Sequence, residues 1–284
     1  MLAVLLAGPA PRVMAPLVGF RRAPLEALLV WQAVSLAAVL SALTVAPAAW
    51  ATGGPSWWGP VASLIGVAVL ARLLWSGHRV GTGIRADRRR HRRLVDVLGT
   101  ELPRTAAQGP AAGHGAELRV LAHPTPTAYC LPGLRRRVVL SEGALQALPA
   151  EELAAVLAHE QAHLRARHDL VLEFFTVLHR SAPARLRAPE ALREVRLLVE
   201  VLADRAARRA VGEVPLARAL VTLASGHHPS AALGAADPAS TSATRARMEL
   251  LTQEGAPRWL RAVMTAFALA VLATPVTLLL LALR

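Results

Sequence analysis

The chain has 284 residues, of which 54% are hydrophobic, with a mean hydropathy of +0.40, a formal net charge of +13 and a single cysteine, Cys130. Apolar content this high, gathered in blocks, argues against an ordinary soluble domain and for a membrane protein. The lone cysteine excludes an intrachain disulfide and a zinc site built from cysteines. Every basic residue is arginine and asparagine is absent, the mark of a compositional bias, so scattered arginines carry little weight individually.

In chain order, residues 1–20 open apolar but are interrupted by Gly8, Pro9, Pro11 and Arg12, and read as a degenerate first span. Residues 24–46 contain one charge, Glu26, and are long enough to cross a bilayer. Residues 57–78 form a second such block, with Trp57, Trp58 and Trp75 placed as interfacial anchors, and residues 260–283 form a third. Arg21 and Arg22 precede the first clear span, and Arg85, Arg88, Arg89, Arg90, Arg92 and Arg93 follow the second. The stretch from Pro47 to Ser56 carries no charge. Basic residues stay on the cytoplasmic side, so residues 80–258 are expected in the cytoplasm of a multi-pass protein of the cell membrane. The juxtamembrane position accounts for the arginine run. No recognition-helix or aromatic pattern accompanies it, and no nucleic-acid partner is expected.

Within residues 80–258, Glu117–Ala122, Thr127–Leu131 and Arg136–Leu140 read as strands, the last two joined through Pro132-Gly133. Helices are expected over about 149–168, 169–180, 190–211 and 214–225. The stretches Thr105–His114 and Ser225–Thr244, rich in Ala, Gly, Pro and Ser, read as linkers.

The chemistry is concentrated in His159-Glu160-Gln161-Ala162-His163, an H-E-x-x-H run. Four residues advance a helix by little more than one turn, so His159 and His163 project from one face and can share a zinc ion. Glu160 then stands beside the metal as general base, taking a proton from water as it attacks a peptide carbonyl. Five residues also arise by chance on surface helices, and a third ligand decides the matter, because hydrolytic zinc sites use three protein ligands. Glu200 is the preferred third ligand: a carboxylate inside Leu197-Leu198-Val199-Glu200-Val201-Leu202-Ala203 is costly to bury without a cation. Asp204, one turn further on, is placed to hold the other ring nitrogen of a ligating histidine, with an ion pair to Arg205 or Arg208 as the alternative. His168 and Asp169 compete for the ligand role, but Ala166 replaces the glycine that would turn the chain back. The helix is therefore expected to run on and carry both away from the metal. Tyr129 is a possible substrate contact with plain packing favoured. His227, His228, Arg245 and Arg247 are open candidates for a transition-state donor.

The H-E-x-x-H helix, the following E-x-x-x-D, Leu131-Pro132-Gly133 and the stretch Leu148–Glu160 together resemble the integral-membrane gluzincin peptidases. In its layout of spans, several before the catalytic segment and one after, the chain resembles the BlaR/MecR-type family more than the HtpX or CAAX-prenyl-protease type. The resemblance implies one Zn2+ per chain held by His159, His163 and Glu200, with Glu160 as base and Asp204 behind the ligands. It also implies a cytoplasmic protein or peptide substrate, in that family a transcriptional repressor, beside the lipid bilayer itself. Those sensors carry an extracellular penicillin-binding domain after the last span, whereas this sequence stops at Arg284, so a signal is expected from a partner, the short outer loop or the membrane. The expected fold is a multi-span α-helical membrane protein with a cytoplasmic α+β, mainly helical, zincin-like metallopeptidase domain. An HtpX-like quality-control protease and a non-catalytic membrane transducer are the alternatives.

Overall fold

A computed structural model describes residues 1–102, 116–226 and 238–284, which divide into two compact units. The expected linker Thr105–His114 and the pair His227–His228 lie outside the described residues.

The first unit comprises residues 1–83, 172–198 and 255–284. It opens with two short helices, α1 (Leu2–Ala7) and α2 (Pro9–Met14), followed by α3 (Pro24–Leu43), α4 (Val45–Ala51) and the start of a 41-residue helix, α5 (Trp58–Leu98). Among the described residues, three helices are long and apolar enough to cross a membrane: α3, α5 and the C-terminal α12 (Arg258–Ala282). At 1.5 Å per residue, the 20 residues of α3 reach about 30 Å, the thickness of a hydrocarbon core. They differ in surroundings. α3 packs against α1 and α12, and over half of its apolar window is buried, whereas α5 and α12 bury only 17% of theirs. Leu64, Val67, Leu74, Phe267, Leu269 and Leu281 project outward, a surface suited to lipid tails rather than water. The buried Glu26 in the first turn of α3 accepts a hydrogen bond from Arg261 in the first turn of α12, which neutralises both charges where the two apolar helices begin.

The second unit comprises residues 84–171 and 199–254. Its sheet contains β1 (Gly99–Glu101), β2 (Glu117–Leu121), β3 (Ala128–Leu131) and β4 (Arg137–Ser141) in the order β1-β2-β4-β3. β4 is parallel to β2, in register Glu117 with Arg137, and antiparallel to β3, in register Ala128 with Leu140. All five residues of β4 are buried, as expected of a β-branched run covered on both faces. Alternation sorts its side chains. Val138 and Leu140 join Leu148, Val156, Leu157 and Leu164 in one cluster, while Val139 turns to the opposite face with Leu131 and with Val95 of α5. β1 is not legible in the sequence, since three residues, one half-buried and two exposed, carry no periodicity.

After β4, the Ser141 side chain accepts the Ala144 amide N–H at 3.0 Å and so caps α6 (Glu142–Ala147). α7 (Ala150–Ala166) follows, with Glu151 and Glu152 in its first turn, favourable for the helix dipole. The remaining helices are α8 (His168–Ser181), α9 (Pro189–Val211), α10 (Glu213–Gly226) and α11 (Pro238–Thr252). Two expectations are corrected here. α7 does not run on past Ala166: Arg167 adopts a left-handed conformation, φ 54°, and starts the chain on a new course into α8. The segment read as a linker up to Thr244 is helical from Pro238 onward, because Leu250 and Leu251 give α11 an apolar face that the small polar residues before them conceal.

The arginine run on α5 serves this unit as well as any membrane surface. Arg88 pairs with Asp169 at 3.0 Å, and Arg92 donates to the Pro132 carbonyl at the β3–β4 turn.

Candidate metal centre

One helical turn separates His159 and His163 on α7, and their Nε2 atoms face each other at 3.1 Å. Glu200 reaches the same point from α9, with Oε2 3.4 Å from His159 Nε2 and Oε1 3.5 Å from His163 Nε2. Among the described residues, these three form the cluster of His, Cys, Asp or Glu able to hold a metal ion, with donor atoms within 4.8 Å of one another. The set fits zinc. Ligands about 2.0–2.1 Å from a tetrahedral centre stand about 3.3–3.4 Å apart, close to all three separations. When both rings are neutral and ligating, both Nε2 lone pairs converge on one point, where a cation can accept them.

Behind the ligands lies a charged layer. His159 Nδ1 is 2.9 Å from Asp204 Oδ1, a close polar contact without the alignment of a full hydrogen bond. Arg247 on α11 grips Asp204 through two bonds of 2.7 Å and lies 3.2 Å from Glu200 through Nη1. Arg208, one of the two arginines expected as the partner of Asp204, donates to the Leu251 carbonyl at 2.6 Å.

The electrostatics follow from these contacts. Burial opposes a charged His159 ring, yet the neighbouring Asp204 and Glu200 carboxylates outweigh it and lift the pKa to about 9 in the metal-free site. Burial opposes ionisation of Glu200 too, but His159, His163 and Arg247 hold it far below the usual carboxylate range. Asp204 is likewise depressed: burial opposes its charge and Arg247 and His159 overcome that. Arg247 is raised by the same two carboxylates against its burial. Both acids are therefore anionic, the state a divalent cation needs.

Glu160, next to His159 on α7, is not a member of the ligand cluster. It lies within hydrogen-bonding reach of Cys130 on β3, and burial, followed by that carboxylate, pushes the thiol pKa well up and keeps it protonated. Cys130 and Ala128 face α7, whereas Tyr129 turns to the other side of the sheet, where its hydroxyl meets His91 Nε2 at 2.9 Å. Tyr129 thus belongs to packing.

The sequence left Arg245 and Arg247 undivided, and the helix separates them. Arg245 pairs with Glu249 at 2.9 Å, one turn along the exposed face, while Arg247 shares the inward side with Leu250 and Leu251. Helical periodicity over 238–252 was the signal that could have found it. His168, expected to point away, is buried with Nδ1 3.0 Å from His163 Nδ1. It is no member of the ligand cluster. Burial, then the adjacent His163 ring, pushes its pKa down to about 4.

A histidine pair and a glutamate at tetrahedral spacing, with a further glutamate beside them, define a zinc-dependent metallopeptidase. The family follows from a second observation: residues 91–254, more than half of the chain, match peptidase family M48, and the chain belongs to that family. A stretch of 61 residues is 49% identical to the mitochondrial metalloendopeptidase OMA1 of Schizosaccharomyces pombe, covering 21% of this chain and 18% of that protein. The chain thus aligns with under a fifth of that relative's length. No solved structure matches.

Proposed function

We propose that this chain is a membrane-bound zinc endopeptidase that cleaves a protein substrate on the cytoplasmic face of the cell membrane. His159, His163 and Glu200 hold one zinc per chain, and Glu160 is the general base. The observation that carries the reading is the convergence of these side chains next to the edge of β3. Zinc, when bound, supplies Lewis-acid polarisation of the attacking water and the scissile carbonyl. Glu160 takes the proton of that water and passes it to the departing amine. Asp204 fixes the His159 ring from behind, and Arg247 in turn fixes Asp204 and Glu200. Among the described residues β3 pairs with β4 alone, and an extended peptide adds to its outer edge as a further strand, where Cys130 sits against Glu160. A peptide on that edge passes the base.

Membrane attachment is supported by the three long apolar helices, and the orientation by the arginines that follow Trp75. A transcriptional repressor as substrate rests only on the span layout shared with BlaR/MecR-type sensors. The match to family M48 and the similarity to a mitochondrial metalloendopeptidase favour the broader reading, a protein substrate.

Metal analysis tests the centre. The detergent-purified chain should hold about one zinc and degrade an unfolded protein such as casein, and chelation should abolish the cleavage. The double variant His159→Ala with His163→Ala should lose the metal; zinc retained at the wild-type level would sink the assignment. Topology is a separate expectation. A reporter fused within residues 100–110 should be cytoplasmic and one fused after Arg284 external, and the reverse pattern removes a cytoplasmic substrate from consideration.

A further inference from the structure

We propose that His168 is a positioning residue for His163, accepting the Nδ1–H of that ring so that Nε2 turns its lone pair toward His159 and Glu200. The inference rests on the zinc centre proposed above and adds a residue to it that the H-E-x-x-H pattern does not contain.

The two nitrogens of His163 have different neighbours. Nε2 faces His159 Nε2 at 3.1 Å and Glu200 Oε1 at 3.5 Å, whereas Nδ1 faces His168 Nδ1 at 3.0 Å. A neutral imidazole carries its hydrogen on one nitrogen or the other, and the partner of the second nitrogen selects which. A hydrogen on Nε2 forbids ligation. A hydrogen on Nδ1 needs an acceptor, and His168 Nδ1 is the atom that stands there. The rings meet edge to face, at 87° with centroids 4.9 Å apart, which suits an in-plane N–H rather than stacking.

Backbone geometry places His168 there. In an unbroken helix a residue five positions on lies roughly 140° around the axis and faces away. Here Arg167 is left-handed, its N–H closing on the His163 carbonyl, and the chain folds back so that His168, 5% exposed, returns to the face it would otherwise leave. A non-glycine residue in this conformation is strained and persists only where its surroundings over-determine it. The following turn supplies that hold: Leu170 N–H bonds to the Arg167 carbonyl at 2.9 Å, and Asp169 is tied to Arg88. His159 has an acid, Asp204, behind it; His163 has a second imidazole.

Two variants of the full chain separate positioning from packing. The Oδ1 of asparagine hangs from Cγ as Nδ1 does in histidine, so His168→Asn keeps an acceptor where His163 needs one. His168→Leu keeps bulk and removes the acceptor. Zinc affinity is read by competition with a chromophoric chelator, and ligand geometry by the visible absorption of the cobalt(II) form. His168→Leu should bind zinc about 10- to 100-fold more weakly and shift the cobalt spectrum, while His168→Asn stays close to wild type in both. If His168→Leu matches the wild type, or if both variants lose metal equally and melt lower without metal, the positioning role is wrong. A wild-type chain without a competent zinc site would overturn the metal centre and this inference together, whereas wild-type binding with an indifferent His168→Leu overturns this inference alone.

Discussion

Replacing Glu160 with Gln should abolish proteolysis while leaving the zinc in place. The carboxylate stands outside the His159–His163–Glu200 cluster, so its loss removes the proton acceptor and spares the ligand set. Gln keeps the size and one hydrogen-bond acceptor for Cys130, so local packing against β3 should survive. General-base catalysis contributes about 100- to 10,000-fold, and turnover of an unfolded protein substrate should fall by that factor with zinc content and melting temperature unchanged. Glu200→Gln should behave differently: it removes an anionic ligand, and metal and activity should disappear together. A Glu160→Gln protein that cleaves at the wild-type rate would leave a metal site without hydrolysis, which is the transducer reading.

The second large effect concerns the charged layer behind the ligands. Asp204 has a side chain only 4% exposed and bonds twice to Arg247, itself mostly buried. Asp204→Ala strands the guanidinium with Glu200 as its remaining carboxylate, and stability should fall by about 3 kcal/mol, read as a lower melting temperature of the metal-free protein in detergent. Adding Arg247→Met removes the stranded charge and should restore much of that stability. It should not restore zinc affinity, since the contact to His159 Nδ1 is still absent. Equal recovery of both properties would mean that Asp204 acts only through Arg247.

The same layer sets a pH dependence. Glu200 and Asp204 are depressed in the folded protein, so their contribution is present above the ordinary carboxylate range and is lost as pH falls through their folded values. His159 is raised, so in the metal-free protein its contribution is complete below about 6.5 and is lost as pH climbs through about 9. Zinc needs the neutral ring. Below that upper value each bound zinc displaces a proton, and apparent affinity should rise with pH by up to about tenfold per unit until it levels. A flat affinity between pH 6.5 and 8.5 would contradict the His159 contacts.

What the sequence determined is local. His159 and His163 share a face because one helix dictates it, and the apolar face of α7 and the β-branched run of β4 are periodic signals complete within their own segments. Chain length and apolar content likewise made α3, α5 and α12 legible as helices able to cross a bilayer. Glu200 and Asp204 were legible as candidates because charges inside an apolar helical run demand partners. Their shared arginine partner was not. Arg247 lies 43 residues beyond Asp204 on a helix disguised by its small polar start, and nothing in local periodicity couples α9 to α11. His168 was misjudged for a related reason: helix propensity saw alanine and arginine where a turn was needed, while the fold holds Arg167 left-handed through contacts made by the residues after it. Spacing along one helix is decided by covalent geometry and a few neighbours. The layer that orients the ligands depends on how separate elements pack, and only the tertiary structure decides that.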